Sequence, residues 1–430
     1  MSGDHFIVVG AGVIGLSTAF ELLQRGKKVT LLEAREGVAL ETSFANGTLL
    51  TPSMSDPWNS PGLHRHLLRS IRDPHAPMKL RLSAIPSLAG WGFRFLRNST
   101  PSCYLAATKA NFLLAQYSVK AMRALTERLN LAYDSSFVGT LKIFRTKDGM
   151  DHALAISRML SDYGLSYDVL KPHDLIDLEP ALGPVKSELV GAMYFPGDGW
   201  GDPKKFADEL LGLYRGNSGQ FEHSRKVTRL LVEGNVIKGV ICNDDTLLAD
   251  TVIVAAGIGG GDLLASVGIK LPIQPVKGYT ITIPLRDPDG PSYPIVDDSL
   301  HAAIVPLDGA LRIAGTAEFC GRDYRIRQER IDTLIQLLVE IYPNLAPNLD
   351  LQYARAWAGL RPMSALGSPH IGPTPVKGLY VNGGHGQIGW TTAIGSASLL
   401  ADLIDGTSPA IDPRPFFPLR TPTRQSMTND

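Results

Sequence analysis

Gly10-Ala11-Gly12-Val13-Ile14-Gly15 follows the apolar run Phe6-Ile7-Val8-Val9 directly and opens a stretch of helical periodicity. The run before it does not alternate, as expected of a parallel strand covered on both faces. Gly10 permits a tight turn, Gly12 lets backbone approach a pyrophosphate, and Gly15 lets the following helix lie close to the strand. The amino end of that helix, with its free N–H groups and partial positive charge, then faces an anion. Ser17 to Leu23 continue the helix, Gly26 ends it, and a second strand, Val29 to Leu32, finishes on Glu33. A carboxylate at this distance accepts hydrogen bonds from an adenosine ribose and repels a 2′-phosphate. The unit therefore predicts a dinucleotide other than NADP, contacted by Val9 to Gly15, Glu33 and the neighbouring Ala34 and Arg35, and leaves nicotinamide and flavin open.

The chain has 430 residues, which suggests two domains. Lysine plus arginine and aspartate plus glutamate number 42 each, so the net charge gives no electrostatic case for nucleic acid. Cys103, Cys242 and Cys320 are far apart and the histidines are scattered, which argues against both a metal site and a disulfide framework. The first thirty residues are occupied by the nucleotide unit and do not have the pattern of an export signal, so a cytoplasmic location is expected. Pro86 to Arg97, with Leu88, Trp91, Phe93, Phe95 and Leu96 beside Arg94 and Arg97, reads as a core helix, with peripheral contact to the inner face of the cytoplasmic membrane as the alternative.

Helices are expected at Leu105 to Leu129, Asp151 to Tyr163, Lys204 to Leu213 and Ile326 to Tyr342. Strands are expected at Val138 to Arg145, at Lys226 to Glu233 and Val236 to Cys242 around a Gly234-Asn235 hairpin turn, and at Leu248 to Ala256. Gln274 to Pro284, Ala302 to Pro306 and Leu311 to Gly315 alternate like antiparallel strands. Near the end a strand, Leu379 to Asn382, leads through Gly383-Gly384-His385-Gly386-Gln387-Ile388-Gly389 into an apolar helix from Trp390 to Ile404, and the tail after Thr407 reads as extended. The expected fold is α/β: a discontinuous Rossmann-like domain, with an inserted, antiparallel-sheet-rich α+β substrate domain. The first comprises residues 1–90, 195–270 and 355–430, and the second residues 91–194 and 271–354.

The second glycine turn lacks an acid at ribose distance. Its helix start suits the negative charge that a reduced flavin carries over N1 and the C2 carbonyl. His385 lies in that turn, next to the flavin in this reading. Arg361, within Gly359-Leu360-Arg361-Pro362, has the planar fork that matches a carboxylate with two parallel hydrogen bonds.

With both glycine turns, Ala255-Ala256-Gly257 and the Gly-Leu-Arg-Pro motif in this order, the chain resembles the D-amino-acid oxidase superfamily of FAD-dependent oxidoreductases, and within it the small-subunit family of bacterial D-amino-acid dehydrogenases. Further pieces of the resemblance are Leu40 to Asn46, Pro57-Trp58, Gly139-Thr140-Leu141, Lys277-Gly278-Tyr279 and Gly389-Trp390-Thr391. The resemblance implies FAD, with Thr42, Ser43, Asn46 and Gly47 along its pyrophosphate and ring, Val227 at the adenine, and Ala256 and Gly257 close by. Gly384, His385, Gly386, Ile388, Gly389, Trp390 and Thr391 would lie at the flavin edge. Related sarcosine oxidases hold flavin through a cysteine near the counterpart of Met363, and no cysteine follows Cys320, so noncovalent FAD is implied. Arg361 inherits the substrate carboxylate, with Tyr279 as a second donor. The implied reaction is oxidative deamination of a D-amino acid by hydride transfer from Cα to flavin N5, the imino acid then hydrolysing, with a quinone or other electron-transfer acceptor. The alternatives are an oxidase of amines or imino acids such as D-proline, D-hydroxyproline, glycine or sarcosine, and a flavin electron-relay subunit.

Overall fold

The computed structural model describes residues 4–62, 78–243, 245–287 and 290–418. Strand β1 (His5–Val9), helix α1 (Val13–Gln24) and strand β2 (Lys28–Leu32) form the predicted unit. β1 is the inner strand of a six-stranded sheet, flanked in parallel by β2 and Thr251–Val254. Gln220–Glu222 lies outside β2, and Leu379–Gly383 and His370–Pro373 complete the other side. Central strands buried on both faces need the continuous apolar composition that Phe6 to Val9 supplies. Helix and strand pack so closely here that a Cβ on Gly15 would lie 1.8 Å from the carbonyl oxygen of Gly10.

Helix α2 (Ile85–Arg97) buries Leu88, Trp91 and Phe95, as the core-helix reading expects, and leaves Phe93 and Leu96 exposed. Helix α3 (Pro101–Leu129) begins on Pro101, four residues before the predicted start, with the Thr100 side chain capping it. Strand β3 (Ile273–Pro284) is the second strand from one edge of a nine-stranded, mainly antiparallel sheet. It pairs on one side with β4 (Ala310–Phe319) and on the other with β5 (Arg355–Ser364). The Gln328–Ile341 helix packs Ile331, Leu334, Leu338 and Ile341 into a separate core with β3 and β4.

Three expectations are corrected. Leu248 to Ala256 is two strands, not one: Asp245–Leu248 ends a three-stranded hairpin sheet and Thr251–Val254 enters the parallel sheet. The break falls at Asp250, whose carboxylate accepts the His5 N–H at 2.9 Å and ties the new strand to β1. The C-terminal helix, α4 (Ala393–Asp405), starts three residues later than predicted, because Gly386–Ile388 first forms a 3₁₀ turn. The segment after Thr407 is not simply extended; Arg414–Phe416 makes a 3₁₀ turn that buries Phe416 in the core of the parallel sheet. Residues past 418 in that tail lie outside the described residues.

A buried carboxylate ties the two sheets' connections together. Asp198 accepts hydrogen bonds from the side chain and N–H of Ser53 and from Thr140 Oγ1, the last at 2.6 Å. Burial pushes its carboxyl up to about 7, outweighing those donors. The folded chain thus keeps a proton that the unfolded chain loses near pH 4. Stability is expected to fall as pH rises from about 4 to about 7, and Asp198→Asn should flatten that slope in melting temperatures recorded across the range; parallel slopes would refute the assignment.

Candidate functional site

A cavity of about 1710 Å³ runs between the parallel sheet and the large sheet. It exceeds the roughly 300–1,000 Å³ of a single small-ligand site, which leaves room for a dinucleotide and a second molecule. One end is the amino terminus of α1. No side chain of Gly12 caps that end and no acidic residue sits in its first turn, while Ser43 Oγ accepts the Val13 N–H at 3.3 Å. This is the donor arrangement a pyrophosphate needs. Glu33, at the end of β2, accepts the N–H of Ala11 at 2.7 Å and that of Arg35 at 2.9 Å, which fixes its carboxylate at the cavity wall.

The segment Leu40 to Thr48 joins the nucleotide end to the large sheet. Thr42 Oγ1 donates to the Leu360 carbonyl at 2.8 Å, and Thr280 Oγ1 donates to that of Ala45 at 2.6 Å. Asn46 Oδ1 accepts the Thr48 N–H at 2.9 Å, which shapes the turn between them. On the opposite wall, Thr391 and Trp390 anchor the second glycine turn: Trp390 Nε1 donates to the Gly201 carbonyl at 3.0 Å. The Thr391 hydroxyl donates to the Leu49 carbonyl at 3.3 Å.

Of the site residues named from sequence, all line this cavity except Ala11, Gly15, Gly384 and Tyr279. Ala11 and Gly15 act one layer behind, through Glu33 and the Gly10 carbonyl. Gly384 has φ +76° and packs beside His370. Tyr279 is fully buried on the far side of β3, where its hydroxyl donates to Glu318 at 2.7 Å. Successive side chains of a strand point to opposite faces, so Gly278 and Thr280 face the cavity and Tyr279 does not. Burial and then Glu318 push the Tyr279 phenol up. Burial alone would also raise Glu318, but Tyr279, Arg81 and Lys277 together hold it below the usual range. Tyr279 therefore belongs to a buried ion network under the strand, and the geometry removes it as a carboxylate donor.

His385 lines the cavity with both ring nitrogens engaged, Nδ1 at 3.0 Å from Thr392 Oγ1 and Nε2 at 2.9 Å from Asn382 Oδ1. The Asn382 amide nitrogen faces the hydroxyls of Thr18 and Ser396, which themselves donate to carbonyls. Asn382 Oδ1 is thereby left as an acceptor, Nε2 carries the hydrogen, and burial pulls the ring down to about 3. A neutral imidazole held in this way shapes the turn.

Arg361, on β5, lies against the cavity with its guanidinium 5.4 Å from the centre of the Trp58 ring. Among the described residues it forms no ion pair, and its buried Nη1 has no hydrogen-bond partner. Burial lowers its pKa to about 10, so it remains a cation at neutral pH. The fork lies flat across β3 because Gly278 is beneath it: a Cβ there would be 2.3 Å from the guanidinium carbon. An unpaired planar cation, stacked and desolvated, is a receptor for a carboxylate. Sequence reasoning found Arg361 but gave Gly278 and Trp58 no role. Both were visible only as neighbours in a recurring motif, since their contact with Arg361 depends on the β3–β5 register, in which Val276 faces Arg361 and Gly278 faces Gly359.

Gly278→Ala is expected to weaken a bound carboxylate ligand about tenfold while leaving cofactor content unchanged, as read by ligand titration of the yellow protein. Unaltered affinity would show that the guanidinium does not need that floor.

The chain matches the model of the family described as DAO, FAD dependent oxidoreductase, over residues 5–403. A D-amino acid dehydrogenase of Methylobacterium radiotolerans is 38% identical over 409 residues, covering 95% of this chain and 97% of that protein. One from Granulibacter bethesdensis is 38% identical over 408 residues, covering 94% and 97%. Among solved structures, glycine oxidase from Geobacillus kaustophilus superposes with a TM-score of 0.77 at 22% identity, over 97% of this chain and 99% of that one.

Proposed function

The chain belongs to the DAO family of FAD-dependent oxidoreductases, and from that premise we propose that it dehydrogenates D-amino acids, with FAD held noncovalently along the cavity and the substrate carboxylate on Arg361. The observation that carries this reading is the Arg361 guanidinium, with no ion-pair partner among the described residues and a buried Nη1 without a hydrogen bond, in a cavity that also contains a dinucleotide cradle. The names of the two 38% relatives support the substrate class.

The residues fit FAD. The open amino end of α1 would take the pyrophosphate, Glu33 the adenosine ribose, and Thr42, Ser43, Asn46 and Gly47 the stretch toward the ring. The turn from His385 to Thr391 would border the ring. When bound, FAD supplies the hydride acceptor. The chain's own contribution is positional: Arg361 fixes the carboxylate through two hydrogen bonds, and so fixes the Cα beside it. Trp58 and Gly278 prevent the fork from swinging. His385, neutral and held through Asn382 and Thr392, keeps the turn in one shape. In this reading residues 1–90, 195–270 and 355–430 form the FAD-binding part and residues 91–194 and 271–354 the substrate-binding part, with β5 carrying Arg361 across to the large sheet.

Arg361→Ala should keep its yellow colour and lose about 2–5 kcal/mol of transition-state stabilisation in anaerobic flavin bleaching by D-amino acids. Arg361→Lys, which keeps charge without the fork, should recover only part of it. Full turnover in the alanine variant would instead favour a relay subunit.

Electrons leave, on this proposal, to a quinone or other electron-transfer acceptor at a membrane surface reached through α2. No helix among the described residues is long and apolar enough to cross a membrane. The exposed side chains of α2, Phe93 at 68% and Leu96 at 46%, with Arg94 and Arg97 next to them, form an apolar and cationic face suited to anionic headgroups. Replacing Phe93 and Leu96 with serine should reduce flotation with anionic vesicles while activity toward a soluble acceptor persists; equal flotation would exclude this face.

A further inference from the structure

A half-buried carboxylate, Asp56, lines the same cavity and has no role in the assignments above. It lies two residues before Trp58, the ring on which Arg361 rests. The Tyr104 hydroxyl donates to its Oδ2 at 3.2 Å, and burial, then Asp56 itself, keeps that phenol protonated. From the other side Gln387 Nε2 donates to the Asp56 carbonyl at 2.9 Å, which ties this residue to the turn between His385 and Thr391. Asp56 forms no ion pair among the described residues. Several other charges along the cavity are paired, such as Lys142 with Asp298 at 2.7 Å and Arg322 with Asp262 at 2.6 Å. Among the described residues neither Arg361 nor Asp56 has an ion-pair partner, and Asp56 is held between the segment carrying the Trp58 ring and the second glycine turn.

An α-amino acid carries its ammonium on the carbon next to its carboxylate carbon. Once the carboxylate is on Arg361, the ammonium must lie within a few bonds of it, and Asp56 is a carboxylate lining this cavity two residues from the Trp58 ring on which the fork rests. We propose that the Asp56 carboxylate receives the substrate's α-ammonium, so that the pair Arg361 and Asp56 reads the zwitterion and selects amino acids over carboxylic acids lacking the amine. The proposal rests on the carboxylate clamp at Arg361. Partial desolvation makes such a pair stronger than one at the surface. Tyr104 and Gln387 act as positioning residues, the first on one carboxylate oxygen and the second on the backbone carbonyl, while the other carboxylate oxygen remains available.

The test uses the FAD-loaded protein and two ligands with the same carbon skeleton: 2-aminoisobutyrate, which has no Cα hydrogen and cannot be dehydrogenated, and isobutyrate, which lacks the amine. Binding is read from the change in the visible flavin spectrum. The wild-type protein should bind 2-aminoisobutyrate more tightly than isobutyrate. Asp56→Asn should weaken 2-aminoisobutyrate about tenfold or more and leave isobutyrate unchanged or tighter. Asp56→Ser is measured alongside, in case the amide disturbs the Tyr104 contact, and Tyr104→Phe should keep the preference for the amine. Equal loss of both ligands in the Asp56 variants, or no loss of either, overturns the proposal. Failure of the clamp itself has a different signature: isobutyrate binding would then survive Arg361→Ala.

Discussion

The site depends on a guanidinium that has no counter-charge among the described residues. Removing an ion from water costs several kcal/mol when nothing pairs with it, and burial accordingly lowers the Arg361 pKa, though not enough to discharge it. The fold sustains this through the pairing of β3 with β5, which sets Arg361 over Gly278, and through the Trp58 ring. A ligand carboxylate would relieve the penalty, which is the part the proposed substrate would play.

The segment that joins the two sheets makes them interdependent. The parallel sheet offers a helix terminus to a pyrophosphate, and the large sheet offers a flat glycine floor and a cation. Between them the Leu40 to Thr48 segment is hydrogen-bonded to β3 and to β5 by Thr280 and Thr42. A shift of either sheet would therefore change the distance between the dinucleotide cradle and the carboxylate clamp. The buried network of Lys277, Glu318, Arg81 and Tyr279 stiffens β3 from its other face.

The features legible in the sequence are those set by local chemistry. The strand, glycine turn and helix at residues 5–24, the acid at Glu33, the hairpin at Gly234-Asn235 and the Arg361 motif each depend on residues a few positions apart. Tyr279 was misread because a motif neighbour on a strand need not share its face, and only the pairing partners settle the parity. The late start of α4 was hidden because His385 and Thr392 spend their side chains on the turn rather than on a helix. Gly278, Trp58 and Asp56 meet Arg361 or its surroundings only after β3, β5 and the segment from Thr51 to Trp58 are assembled, so no local pattern points to their joint role.

The most direct check is a crystal structure of the yellow protein with a bound, non-reactive carboxylate ligand. The pyrophosphate should lie at the amino end of α1 with the ligand's two carboxylate oxygens on the Arg361 fork above Gly278. A ligand carboxylate bound elsewhere, with Arg361 turned to another partner, would contradict the account.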